Sequence, residues 1–129
     1  MSRITDAPVV STGKPYSQAC RVGDLVFVSG QIALDSDTCE PESGGFEAQV
    51  RRVFENLGVV LRHAGADLDT VVKTTCFLVD LANVDVFNSV YREYFDADNL
   101  PARSTFQVAG LSPGIEVEIE AVAAIASPR

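Results

Sequence analysis

The stretch IEVEIEAVAAIA, residues 115–126, alternates strictly between two kinds of side chain. Successive residues of a strand point to opposite faces. Val117, Ile119, Ala121, Ala123 and Ile125 therefore make one unbroken apolar face, and Glu116, Glu118 and Glu120 share the other with Val122 and Ala124. The apolar face has to be buried under a second layer of structure. The glutamate face has to meet water, a cation or a cavity, because glutamate is a poor strand former. Such a strand commits the chain to a sheet with one covered side.

The covering layer is visible in the same sequence. From Phe46 the apolar period changes: Val50, Val53, Phe54, Leu57, Val60 and Leu61 recur at three and four residues, which predicts an amphipathic helix, with Gly65 as its stop. Val86, Phe87, Val90, Tyr91 and Tyr94 trace a second helix, with Asn83 or Asp85 near its start. SQACRVGDLVFVSGQIAL (17–34) predicts a pair of strands joined at Gly23-Asp24, residues 35–45 a loop, and VVKTTCFLV (71–79) a central strand. Final strands are expected near 103–109 and 116–126, separated by the turn-forming LSPG. The order strands, helix, strand, helix, strands predicts an α+β fold with both helices on one sheet face. One helix layer cannot cover both sides, so the other face predicts self-association.

The 129 residues suit a single domain, 1–129, and 47% hydrophobic with 22% charged residues is a folding composition. A formal net charge of −8 opposes binding to nucleic acid, whose affinity comes largely from Lys and Arg on phosphates. The amino terminus has no apolar core of signal-peptide length and no run approaches the ~18 apolar residues of a membrane span, so no membrane partner is expected. Cysteines 20, 39 and 76 are far apart and odd in number, which reads as reduced thiols and a cytoplasmic location. His63 is the only histidine, which disfavours zinc, and no glycine-rich phosphate loop occurs, so neither a metal nor a cofactor is expected. His63 itself reads as a cation at a helix end.

LPARSTFQVAGLSPGI (100–115) carries one charged side chain, Arg103. Alternation places Arg103, Thr105 and Gln107 on one face and Ser104, Phe106 and Val108 on the other, and the apolar set is expected to face the core. The guanidinium has two readings: half of a structural salt bridge, or a clamp for a carboxylate that arrives from outside. If the last two strands are neighbours, Arg103 and the glutamates line one polar hollow, where a carboxylate holding a water is a simple general base. Tyr16 and the Ser29-Gly30 pair are weaker signals; the N–H of Gly30 is a candidate anion donor because glycine permits close approach.

KPYSQA, FVSGQIALD, VVKTTCFLVDL, FNSVYREYF, LPARS and VEIEAVA, in that order from about residue 9 to 126, resemble the successive signatures of the RidA (YjgF) family of enamine/imine deaminases. The resemblance implies a chorismate-mutase-like domain with a mixed six-stranded sheet and two helices on one face. It also implies a homotrimeric barrel with active sites between subunits, and hydrolysis of 2-aminoacrylate/2-iminopropionate to pyruvate and ammonia. Carried over by position, Arg103 grips the substrate carboxylate, Glu118 positions water, and Tyr16 closes the cleft from an adjacent subunit. Ser29 and the Gly30 N–H contact the substrate, Asn88 lines the pocket, and Thr105 on the Arg103 face is a further substrate-binding candidate. Many members carry cysteine where this chain has Thr105, and glycine where it has Lys14, a cation that would favour a more acidic substrate. The resemblance leaves two alternatives to general imine hydrolysis: a pathway-specific deaminase of another unsaturated amine, or a non-catalytic sensor of small keto acids. Ribonuclease action, attached to the family by name, is opposed by the acidic balance.

Overall fold

The computed structural model describes residues 1–10 and 14–126. In chain order its elements are β1 (Ser2–Ile4), β2 (Ala19–Val22), β3 (Leu25–Ile32), α1 (Phe46–His63), β4 (Val71–Leu78), α2 (Val84–Tyr94), β5 (Ala102–Gln107) and β6 (Val117–Ala124), with short 3-10 turns at Leu68–Thr70 and Leu81–Asn83. β2 and β3 form a hairpin across Gly23, whose φ of 58° lies in the left-handed region that a side chain resists. α1 ends as expected at Gly65, with φ of 88°. There the Ala66 N–H bonds the Leu61 carbonyl (2.9 Å) and the Gly65 N–H bonds that of Arg62 (3.2 Å), the paired bonds of a Schellman cap. His63 and Arg62 lie in that last turn, where cations favour the helix dipole.

The six strands form one sheet in the order β1-β2-β3-β6-β4-β5. Only β4 and β5 pair in parallel, joined by α2; β6 inserts antiparallel between β3 and β4, which α1 connects. This is the mixed sheet with two helices that the resemblance implies. The residues alone indicated five strands. The sixth, β1, is only three residues long and pairs with β2 through Ser2↔Arg21 to Ile4↔Ala19, too short for alternation to reveal it.

Both helices cover the same face. Val26, Val117, Ile119 and Ala123 of the sheet and Val53, Phe54, Leu57, Leu61 and Phe87 of the helices lose all their exposed surface there. Phe54 of α1 joins the helices: it stacks on Tyr94 at 4.6 Å and meets Tyr91 and Phe95 edge-on at 5.7 Å. The opposite sheet face is open. Leu25 pairs with Ala124 and Phe27 with Val122 across β3 and β6, forming one apolar patch in which Leu25 and Phe27 remain 42% and 47% exposed. Among the described residues no helix is long and apolar enough to cross a membrane.

Two expectations for the end of the chain are corrected. β5 and β6 are not neighbours, because β6 is drawn between β3 and β4 and leaves β5 at the edge beside β4. The faces of β5 are also reversed. Arg103 and Thr105 pair with Thr74 and Cys76 on the helix side, whereas Phe106 lies on the open face, 44% exposed and edge-on to Phe77 at 5.1 Å. The cause is on α2, whose inner surface offers Asn88 and two aromatic rings to the guanidinium.

Candidate active site

The residues singled out in the sequence fall into two groups. The first is a corner between the edge strand β5 and α2. Arg103 donates from Nε to Thr105 Oγ1 (2.6 Å) and from one terminal nitrogen to Asn88 Oδ1 (2.7 Å). Its guanidinium carbon lies 4.8 Å from the Tyr91 ring centroid and 5.2 Å from that of Phe87, so two aromatic faces flank the cation. Tyr91 is itself fixed by a 2.8 Å hydrogen bond between its hydroxyl and Thr74 of β4. The ion pairs among the described residues involve Arg51 and Arg52, not Arg103. Among the described residues, all of Arg103's partners are neutral and no carboxylate pairs with it, so a half-buried positive charge has donors to spare there.

Beneath this corner lies Cys76, fully buried, with its thiol 3.8 Å from Thr74 Oγ1. Burial pushes that thiol's pKa up, against the lowering effects of Thr74 and the Arg103 charge, so Cys76 stays protonated and inert.

The second group surrounds a hollow of about 730 Å³ at the junction of β3, β6 and the loops beside them. Tyr16, Ser29, Gly30 and Glu118 line it together within one chain. The register of β3 against β6 shifts between Val28 and Gln31, which bends the strand at Ser29-Gly30. Ser29 holds the preceding segment in place: its hydroxyl donates to the Ser17 carbonyl at 2.6 Å, next to Tyr16. Gly30 is required for space rather than for backbone conformation. A Cβ there would run into a carboxylate oxygen of Glu118 and stand 2.8 Å from its carboxyl carbon. Burial raises the pKa of Glu118, and the like charge of Glu120 on the same face raises it further. A carboxylate tuned upward in this way is a better proton acceptor at neutral pH than an ordinary glutamate.

Two buried amides of α1, read in the sequence only as part of the helix, shape the hollow. Asn56 donates to the carbonyls of Ile32 and Leu34, both at 3.0 Å. Gln49 donates to the Gly114 carbonyl (2.8 Å) and accepts from the Glu116 N–H (2.9 Å). Seven residues apart, they face the same way and tie the loops after β3 and before β6 to the helix. The signal that would have found them is polarity at positions where the helical period demands apolar side chains. Arg52, one turn from each amide on α1, adds an ion-pair strap to the loop after β3, bonding Glu42 at 2.9 Å and Asp35 at 3.3 Å.

Arg103 does not line this hollow. Glu118 lies on the open sheet face, paired with Phe77 of β4, and Arg103 on the helix face of β5, one strand further out. A single chain therefore carries both halves of the expected chemistry but does not join them.

Residues 5–125 match the model of the family described as Endoribonuclease L-PSP. The human protein named 2-iminobutanoate/2-iminopropanoate deaminase is 41% identical over 121 residues, spanning 89% of this chain and 88% of its own. Among solved structures, RidA from the Antarctic bacterium Psychrobacter is 38% identical with a TM-score of 0.91, covering 97% of this chain and 100% of that one. TdcF from E. coli, solved with bound serine, is 32% identical with a TM-score of 0.89, covering 98% and 100%. Fold, motif order and these likenesses agree along almost the whole length, and the chain belongs to the Endoribonuclease L-PSP family, the RidA/YjgF proteins.

Proposed function

We propose that this protein hydrolyses reactive 2-imino acids and their enamine tautomers, with 2-iminopropanoate and 2-iminobutanoate as type substrates, to the 2-oxo acid and ammonia. The observation that carries the reading is the Arg103 guanidinium, flanked by aromatic rings and, among the described residues, bonded only to neutral groups. A small carboxylate supplies the missing charge through two parallel hydrogen bonds, each worth roughly 1.5–3 kcal/mol. The curated human relative's name supports the imine as the reacting group. The bound serine in the E. coli relative supports an amino-acid skeleton.

The site is completed between two protomers of a homotrimer acting in the cytoplasm. The open sheet face, with its Leu25–Phe27–Val122–Ala124 patch, is the surface that association covers. It carries the hollow of one copy toward the Arg103 corner of another. Within the joined cleft, Arg103 and Asn88 orient the substrate, Tyr16 closes over it, and Ser29 and the Gly30 N–H contact it. Water held by Glu118 adds to the imine carbon of the iminium form: the C–O bond forms, the C=N π electrons move to nitrogen, and Glu118 takes the water's proton. Returning that proton to nitrogen lets the carbinolamine's C–N bond break to release ammonia, while the hydroxyl gives its proton back to Glu118 and its O–H electrons form the carbonyl. The imine carbon is already electrophilic, so positioning and one base suffice.

Mixing two inactive variants tests this directly. Arg103→Ala and Glu118→Ala, each inert alone, are unfolded together, refolded and assayed with oxidase-generated 2-iminobutanoate. In a cyclic trimer, random mixing makes roughly a quarter of the sites wild type. Recovery near that level is expected; no recovery from a mixture shown to exchange subunits would overturn the shared site. Binding of 2-oxobutanoate without turnover by the wild type would instead identify a sensor.

A further inference from the structure

The hollow carries more charge than a three-carbon substrate requires. Among its described lining residues Glu118 is the only carboxylate and Lys14 the only cation, and Ile32 and Ile115 supply an apolar wall. Lys14 stands two residues before Tyr16 and is exposed. Among the described residues no carboxylate is paired with that ammonium at the hollow.

We infer that Lys14 is a specificity-determining residue that selects 2-imino acids bearing a second carboxylate on a short aliphatic spacer, with 2-iminoglutarate as the test case. The inference rests on the imine-hydrolase reading above and deepens it. With the 2-carboxylate committed to Arg103, the side chain of the substrate points into the hollow. There a second carboxylate meets the repulsion of Glu118 unless a cation offsets it. Lys14 supplies that offset and an ion-pair partner, while the methylenes of the spacer lie on the Ile32–Ile115 wall. An ammonium on a flexible stem suits this role, since a point charge accommodates spacers of differing length. A four- or five-carbon diacid gains from the arrangement, and a monocarboxylic imine gains nothing.

The test measures kcat/KM on two imines generated in situ by amino-acid oxidases, 2-iminoglutarate and 2-iminobutanoate, by competition with semicarbazide trapping. The variants are Lys14→Met, which keeps the stem and removes the charge, Lys14→Glu, and Arg103→Ala. The wild type is expected to favour the diacid. Lys14→Met is expected to lower the diacid-to-monoacid ratio about fivefold, equivalent to ~1 kcal/mol, and Lys14→Glu to lower it further. Raising ionic strength should erode the wild-type preference and leave the Lys14→Met ratio unmoved. A ratio unchanged in both lysine variants, with hydrolysis still dependent on Arg103, overturns the inference and leaves the imine-hydrolase reading intact. Full activity of Arg103→Ala on both imines overturns that reading itself.

Discussion

The Arg103 corner and the Glu118 hollow hold opposite charges by opposite means. In the corner, a cation is built into packed structure: two rings flank it, an amide and a hydroxyl bond it, and Tyr91 is anchored in turn to Thr74. In the hollow, the carboxylate is defined chiefly by what has been left out, namely the side chain at position 30 and the water that would solvate Glu118 fully. A binding group needs fixed geometry, because two parallel hydrogen bonds tolerate little misalignment. A proton acceptor needs an adjusted pKa and room to hold a water. The corner is therefore expected to fail when its chemistry is altered, and the hollow when its space is altered.

The largest effect is predicted in the corner. Arg103→Ala removes a pair of charge-assisted bonds and should lower kcat/KM by about 10²–10⁴, from roughly 3–6 kcal/mol in total. Arg103→Lys should recover little of this, because an ammonium lacks the planar fork and cannot bond the Thr105 hydroxyl, the Asn88 amide and a carboxylate in one plane. Recovery by lysine to within a few-fold of wild type would show that charge alone matters, and the contrast between the two regions would weaken.

Gly30→Ala is the matching test of space. The added methyl displaces the Glu118 carboxylate, the movable end of a side chain, so the fold should survive with a melting temperature close to wild type. Activity should fall by about tenfold to a hundredfold, as expected for a misplaced general base. Loss of folding instead of activity would mean that Gly30 serves the strand and not the site. Asn56→Ala should do the reverse. It leaves the Ile32 and Leu34 carbonyls without their amide donor, at a cost of about 1–3 kcal/mol. Denaturant titration would read that loss, with KM rising through the loosened wall more than kcat falls.

How much of this was legible in the sequence follows from the range of each signal. The alternation of 117–124 and the helical period of 46–63 are local properties, and both survive in the structure to the residue or nearly so. The candidate residues stood out individually, because Arg103 is isolated in a neutral stretch and Glu118 stands on a polar strand face. Their relative placement was not. Which strand neighbours β6 depends on how α1 and α2 cross the sheet, and residues 100–126 contain no record of that. The facing of β5 was misread for a related reason. Phe106 was assigned to the core by its apolarity, but an edge strand over a second open face has room for an exposed ring, and the aromatic lining on α2 made the helix side the better place for the cation. Periodicity locates a face; it does not say which layer covers it.

The smallest predicted effect separates the two causes acting on Glu118. Burial raises its pKa first, and the like charge of Glu120 adds to it. A carboxyl whose folded pKa is raised holds its proton more tightly in the fold, and it serves as a base only above that value. The acid limb of the kcat/KM profile should therefore lie above the ordinary glutamate range, with activity lost as pH falls through it. Glu120→Gln removes the charge and leaves the burial, because Glu120 is the exposed member of the pair. The limb should move to lower pH while staying above the ordinary range, because burial, the larger cause, remains, and the pH-independent plateau should be little changed. The corresponding change in the corner, Asn88→Asp, puts a carboxylate directly on the guanidinium and should act on KM across the whole pH range without moving the limb. A limb that shifts with Asn88→Asp but not with Glu120→Gln would assign the titrating group to the wrong half of the site.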